Sequence, residues 1–221
     1  HLVAVFDGTR GYIYINGALA VKGTLTFGAT TRDSQIGSEC SGAGSTTCDE
    51  FLNKGKIDEV RFYNRALSPL EIQKLYTLGQ ARIANSPVMS LTSGLVGYWT
   101  FDGQNTNWAT GKTFDMSGKG NHGRMISMST STTPTAGKIG QGFKFDGVND
   151  HVGIPYNTSI NGISNSIATI SLWANLSTFA NVNGSNVLFS TWDGTAYISF
   201  DVGTTGIVKL FGNSGGGSIS S

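Results

Sequence analysis

The sequence predicts an all-β fold, an antiparallel β-sandwich with one short helix near residues 68–80. Three observations carry that expectation. Apolar residues fall in short alternating runs, and Val187–Ser190, Ala196–Asp201 and Ile207–Phe211 follow one another at spacings of about ten residues, the rhythm of antiparallel strands joined by turns. Gly numbers 31, Ser, Thr and Asn are abundant, and only 13% of the 221 residues are charged, a composition that suits strands and turns better than helices. A single stretch, Ser68-Pro-Leu-Glu71, carries helix-start signals.

Taken in order, His1–Asp7 alternates as a strand, and Tyr12–Ile15 is a second, ending in Asn16-Gly17. Both of those residues tolerate positive φ, so a tight hairpin into Ala18–Val21 is predicted. Leu25–Gly28 and Ser34–Gly37 read as short fragments. Lys56–Tyr63 is a strand in which Ile57, Glu59, Arg61 and Tyr63 face one way and Asp58, Val60 and Phe62 the other. Ser68 is a natural N-cap, Pro69 suits the first helical position, and Glu71 completes a capping box. Leu70, Ile72, Leu75, Tyr76 and Leu78 supply the apolar face of that helix. Residues 81–92 form a connector. Strands resume at Leu95–Phe101, Gly142–Asp150 (Lys144, Asp146 and Val148 alternating with Phe143, Phe145 and Gly147), Ile167–Asn175, Val187–Ser190, Ala196–Asp201 and Ile207–Phe211, and Gly212–Ser221 reads as a Gly/Ser turn or bulge. In Ile167–Asn175, Ile167, Thr169, Ser171 and Trp173 oppose Ala168, Ile170, Leu172 and Ala174.

The formal net charge is +1, with Lys and Arg scattered singly. Nucleic acid and anionic membranes need clustered cations, so neither is an expected partner. No apolar run approaches the roughly 20 residues of a membrane helix. The chain begins at His1 without an initiating Met, the expectation being a processed chain or a piece of a longer one. Cys40 and Cys48 are the only cysteines and enclose a Gly/Ser/Thr loop. A disulfide closing that loop is the preferred reading and implies an extracytoplasmic setting; two unpaired thiols are the alternative.

Tyr98-Trp-Thr-Phe-Asp102, Asp115–Gly123, Gly137–Val152 and Thr169–Trp173 resemble the first half of a laminin-G-like, concanavalin-A-type jelly-roll domain. His1–Thr9, Tyr12–Gly17 and Ile57–Ser68 resemble its second half. The order is inverted: residues 1–80 look like the end of the domain and 93–221 like its beginning. Either the chain is one period of a tandem array cut out of phase, or a circular permutant, or its halves complete neighbouring subunits. In such sandwiches the first and last strands are adjacent, so the resemblance implies that 57–63 pairs with 95–101.

Retaining glycosidases need two carboxyls about 5 Å apart. The Glu residues, Glu39, Glu50, Glu59 and Glu71, form no i, i+2 or i+4 set, and Asp146 and Asp150 lie at a strand-to-turn junction, so catalysis is not expected. His1, His122 and His151 sit in terminal or turn-like contexts. Domains resembling this one often carry a structural Ca²⁺ at this edge, and Asp102, Asn105 and Asp115, with Asp58 on the adjoining strand, are the candidate oxygen ligands. The competing reading has Asp102 and Asp115 accepting backbone N–H bonds within the loop. Trp99 and Trp173 read as core. Trp108 and Trp192 sit in loops, where an indole either stacks on a sugar or folds back over a core edge. The function expected is a non-catalytic, extracellular, cell-surface module, structural or adhesive, associating with copies of itself in a filament or array. A carbohydrate-binding, lectin-like module is the alternative.

Overall fold

The computed structural model describes residues 1–39, 48, 50–52, 54–79, 91–161, 167–179, 185–192, 197–212 and 217–221. Two antiparallel sheets face each other as a sandwich. The first is built around β7 (Gly55–Tyr63) and β15 (Ile167–Leu176), continuing through β1 (Leu2–Asp7), β2 (Arg10–Ile15) and β3 (Ala18–Thr24). On its other side β7 meets β13 (Gln141–Phe145) and then β12 (Pro134–Ala136), while β8 (Leu95–Trp99) joins farther along the same edge.

The second sheet runs β19 (Ser218–Ser220), β18 (Val208–Gly212), β17 (Tyr197–Gly203), β16 (Ser185–Trp192), β4 (Ser34–Ile36), β14 (His151–Ile154), β11 (Gly123–Ile126), β10 (Lys112–Thr113) and β9 (Thr106–Asn107). A short pair, β5 (Ser38–Glu39) and β6 (Glu50–Phe51), stands apart. Both sheets therefore interleave strands from residues 1–63 with strands from 95–220. β8 lies antiparallel to β7, with Val60 opposite Trp99 and Arg61 opposite Tyr98, as the order of the motifs predicts.

Between the sheets lies one continuous apolar core that includes Phe6, Ile57, Val60, Phe62, Trp99, Phe143, Ile170, Phe189 and Phe200. The alternation in β15 is obeyed: Ala168, Ile170 and Leu172 point into this core. A second, smaller core lies on the outer face of the first sheet. There α1 (Pro69–Leu78) lays Ile72 and Leu75 over Val3, Val5, Tyr14 and Tyr63. The helix begins as its sequence requires, with Ser68 and Glu71 capping each other reciprocally. Leu70, placed on the apolar face by the sequence, is exposed.

At the β2–β3 turn Asn16 and Gly17 adopt φ of 51° and 80°, both left-handed, as a tight hairpin demands. Two sequence expectations are corrected. Leu25–Gly28 is not a strand, although Leu25 and Phe27 are buried. The tail is no simple turn: Ser218–Ser220 returns along β18, with Ile219 opposite Leu210.

Candidate functional site at the bulge of the central strand

β7 departs from strict alternation. Its register against β15 slips between Ser171 and Trp173, so Arg61 faces Ser171 while Asp58 faces Trp173. The bulge turns Ile57, Val60 and Phe62 all into the inter-sheet core. The sequence reading had Ile57 on the face opposite Val60 and Phe62; one extra residue accounts for the difference. Glu59, at the bulge, has φ of 55°, a conformation that costs a side-chain-bearing residue about 1–3 kcal/mol. The cause lies on the opposite edge. There β13 pairs with Gly55–Ile57 and β8 with Val60–Tyr63, leaving Asp58 and Glu59 at the changeover between two partners.

The two acids meet different needs. Glu59 is 2% exposed, and its Oε2 accepts from Arg61 Nη2 and from the Tyr98 hydroxyl at 2.8 Å. The Arg61 guanidinium also lies 4.1 Å from the centre of the Tyr98 ring. Asp58, 3% exposed, uses Oδ2 to accept the backbone N–H groups of Lys138 (2.6 Å) and Ile139 (2.9 Å). In this way it holds the β12–β13 turn onto β7. Its Oδ1 is buried with no hydrogen-bond partner among the described residues.

Burial pushes the Asp58 carboxyl up to about 7, and the neighbouring Glu59 charge adds to the rise, while the N–H bonds oppose it. A carboxyl held above its unfolded value keeps its proton longer in the folded state, so stability falls as pH rises from about 4 to about 7. Asp150, raised to about 6 chiefly by burial, acts in the same direction. The melting temperature is therefore expected to decline across that window in a thermal series. Asp58→Asn should flatten the part of the decline nearest pH 7; an unchanged profile in the variant would remove Asp58 as its source.

Beside the bulge opens a cavity of ≈ 370 Å³ lined by Lys56, Asp58, Lys138, Trp173 and Asn175, among others. Trp173 is not the core residue that its place in a strand suggested. Its ring stacks on Tyr76 with centroids 5.7 Å apart and an interplanar angle of 23°, and the His1 ring lies 4.9 Å away. Lys138 Nζ stands 4.6 Å over the indole. Gly79 ends α1 against this ring, where any Cβ would collide with the indole. The alternation of β15 already pointed Trp173 away from Ile170 and Leu172; only the assumption that a strand Trp is buried hid it.

The residues proposed for calcium are each engaged in protein hydrogen bonds. Asp115 Oδ1 accepts the N–H groups of Tyr98 (2.9 Å) and Ser117 (2.8 Å), while Oδ2 accepts from Ser117 Oγ (2.8 Å) and Asn121 N–H (2.9 Å). Asp102 Oδ1 accepts the Gln141 N–H at 2.7 Å, so Asp102 and Asp58 hold the same hairpin from two sides. Asn105 Nδ2 donates to Thr100 Oγ1 at 2.9 Å. Asp115 thus accepts N–H groups of its own loop, as the capping alternative has it, whereas Asp102 makes no side-chain bond to the 103–105 turn and reaches across to Gln141. Among the described residues no group of three or more His, Cys, Asp or Glu is placed to hold a metal ion.

Trp108 is partly buried against the core, its ring 5.8 Å from that of Phe143. The residue stays partly exposed. The side chain of Trp192 and all of Cys40 lie outside the described residues, and the proposed Cys40–Cys48 disulfide with them; Cys48 Sγ is 3.6 Å from His151 Nε2. His151 belongs to β14 and is buried, its Nδ1 bonded to the Asn149 carbonyl of the preceding turn at 2.9 Å, and His122 likewise stabilises its turn, Nδ1 accepting the Asp115 N–H at 3.1 Å.

Residues 1–73 match the family model Laminin_G_3, the concanavalin A-like lectin/glucanases superfamily. The match ends inside α1 and takes in β7 with its bulge. No curated protein and no solved structure matches the chain. No helix among the described residues is long and apolar enough to cross a membrane.

Proposed function

We propose, from the laminin-G-like match of residues 1–73 and the jelly-roll sandwich they share with the rest of the chain, that this protein is a non-catalytic extracellular binding module. Its role is structural or adhesive, as a repeat or subunit of a cell-surface array of its own copies. In this reading residues 1–80 are the closing half of the domain, 81–92 the connector and 93–221 the opening half. The observation that carries it is the interleaving of the two segments, with β7 flanked by β13, β8 and β15. Each segment alone would leave open sheet edges, and a sandwich whose halves need each other is suited to linking one unit to the next.

The use made of the carboxylates supports a non-catalytic role. Glu59 is engaged by Arg61 and Tyr98, and Asp115 by four donors, so neither is poised for proton transfer. Sedimentation of the full chain over a wide concentration range tests the assembly: ordered, concentration-dependent association is expected, and a monomer throughout would end it. Calcium belongs to the proposal as a ligand of the Asp102–Asn105 edge. A rise in melting temperature on adding Ca²⁺, lost in Asp102→Asn, is its signature, and no rise removes it. The lectin alternative, with Trp108 and Trp192 as sugar contacts, predicts glycan binding that Trp108→Ala abolishes.

A further inference from the structure

We propose that the protein joins its own two halves by an amide bond between the Lys56 side chain on β7 and the Asn175 side chain on β15, with Asp58 as the acid–base group. The inference goes beyond the module reading. It assigns a self-modification, completed once per chain, whatever the module binds.

The register sets the pair. Lys56 lies directly opposite Asn175, and Asp58 lies opposite Trp173 in the next pair on the same face. Ile57 and Ala174, between them, pack on the inter-sheet core, so Lys56, Asn175 and Asp58 share the outer face. Directly opposed residues of antiparallel strands have Cβ atoms about 4.5–5.5 Å apart, within the span of one lysine side chain. Lys56 is half-buried and Asn175 exposed, and neither side chain has a hydrogen bond or ion pair among the described residues. On its other side Lys56 lies opposite Lys144. Lys138 and the α-ammonium of His1, which donates to Asn16 Oδ1 at 2.9 Å, stand around the same hollow. Like charges directly opposed are destabilising; conversion of the Lys56 ammonium to an amide removes one of them.

The chemistry balances within these three residues. Lys56 Nζ, as the free amine, adds to Asn175 Cγ; the Nζ–Cγ bond forms and the Cγ–Nδ2 bond breaks. Nδ2 departs as ammonia, and the proton it gains equals the one that Nζ sheds. Asp58 relays that proton, giving its own to the departing nitrogen and taking one from Nζ, so it ends as it began. No oxidant and no second substrate is consumed. The Asp58 carboxyl suits the relay. Its Oδ2 is fixed by the Lys138 and Ile139 N–H groups, while Oδ1 is buried without a partner among the described residues, a vacancy that folded proteins rarely leave. Burial keeps the carboxyl in its acid form up to about 7, so it has a proton to give near neutrality. Release of ammonia from the exposed Asn175 into solvent draws the step forward.

The test is the intact mass of the full chain, purified folded and weighed after thiol reduction, followed by peptide mapping. A deficit of one ammonia against the sequence mass is expected, with a branched peptide joining Lys56 to Asn175 after proteolysis. Lys56→Arg and Asn175→Ala, both on the outer face, should restore the full mass while leaving the circular dichroism spectrum unchanged. Asp58→Asn, checked for folding in the same way, should also restore it. A folded chain of full sequence mass overturns the proposal. So does a deficit that persists in Lys56→Arg, because an imide formed at an Asn-Gly step such as Asn16-Gly17 also loses ammonia. A deficit that persists in Asp58→Asn strikes out Asp58 as the acid–base group. Self-association without the deficit would sink the cross-link and leave the module reading intact.

Discussion

Arg61→Met is expected to lower the unfolding free energy by about 3–5 kcal/mol, the usual consequence of removing one partner from a buried ion pair. Glu59 would be left at 2% exposure with the Tyr98 hydroxyl as the remaining donor to its carboxylate among the described residues. Denaturant unfolding of the single variant and of Arg61→Met with Glu59→Gln checks the mechanism. The double variant should recover more than half of the loss, since it no longer buries an unpaired carboxylate. Simple additivity of the two substitutions would show that Arg61 contributes packing alone.

Trp99→Ala is expected to cost a comparable amount, about 3–5 kcal/mol, and to lower the melting temperature by about 6–20 °C. Trp99 has no exposed surface and donates its indole N–H to the Asn121 carbonyl at 2.9 Å. Asn121 in turn donates Nδ2 to the Val96 carbonyl at 2.6 Å and to Ser159 Oγ at 3.0 Å. Loss of the indole therefore opens a void and orphans a carbonyl that sits in a buried network. Trp99→Phe should retain much of the packing and lose only the hydrogen bond. If Trp99→Phe proved as damaging as Trp99→Ala, the hydrogen bond rather than the void would be the larger contribution.

Much of the fold could be read from the residues because its signals are local. Ser68-Pro69 and Glu71 define a helix start by hydrogen bonds within one turn, and Asn16-Gly17 defines a hairpin by its own backbone preferences. The inter-sheet face of β15 follows from a period of two. What lay beyond local signals was the bulge at Asp58–Glu59, which exists because β13 and β8 divide one edge of β7 between them. No residue inside Lys56–Tyr63 announces that division; Glu59 is an ordinary strand residue until a neighbour's end forces an extra step. The candidate site inherits the same difficulty. Asp58 was picked out as a carboxylate near the right loop, but its actual role, clamping the N–H groups of Lys138 and Ile139, depends on residues 80 positions away.

The position of β7 has a consequence for how the chain comes off the ribosome. This strand is complete by residue 63, yet its three neighbours are supplied by residues 95–99, 141–145 and 167–176. Until the last of these has been synthesised, at least one long edge of the strand has nothing native to pair with. Sequence separations of this length slow folding, because chain entropy is lost before the contacts that reward it can form. At translation speeds of about 5–20 residues per second, the interval from residue 63 to residue 176 lasts on the order of 6–23 seconds. During those seconds the nascent chain carries the edge most apt to capture a neighbour, and whatever shields it then decides whether the sandwich closes on itself.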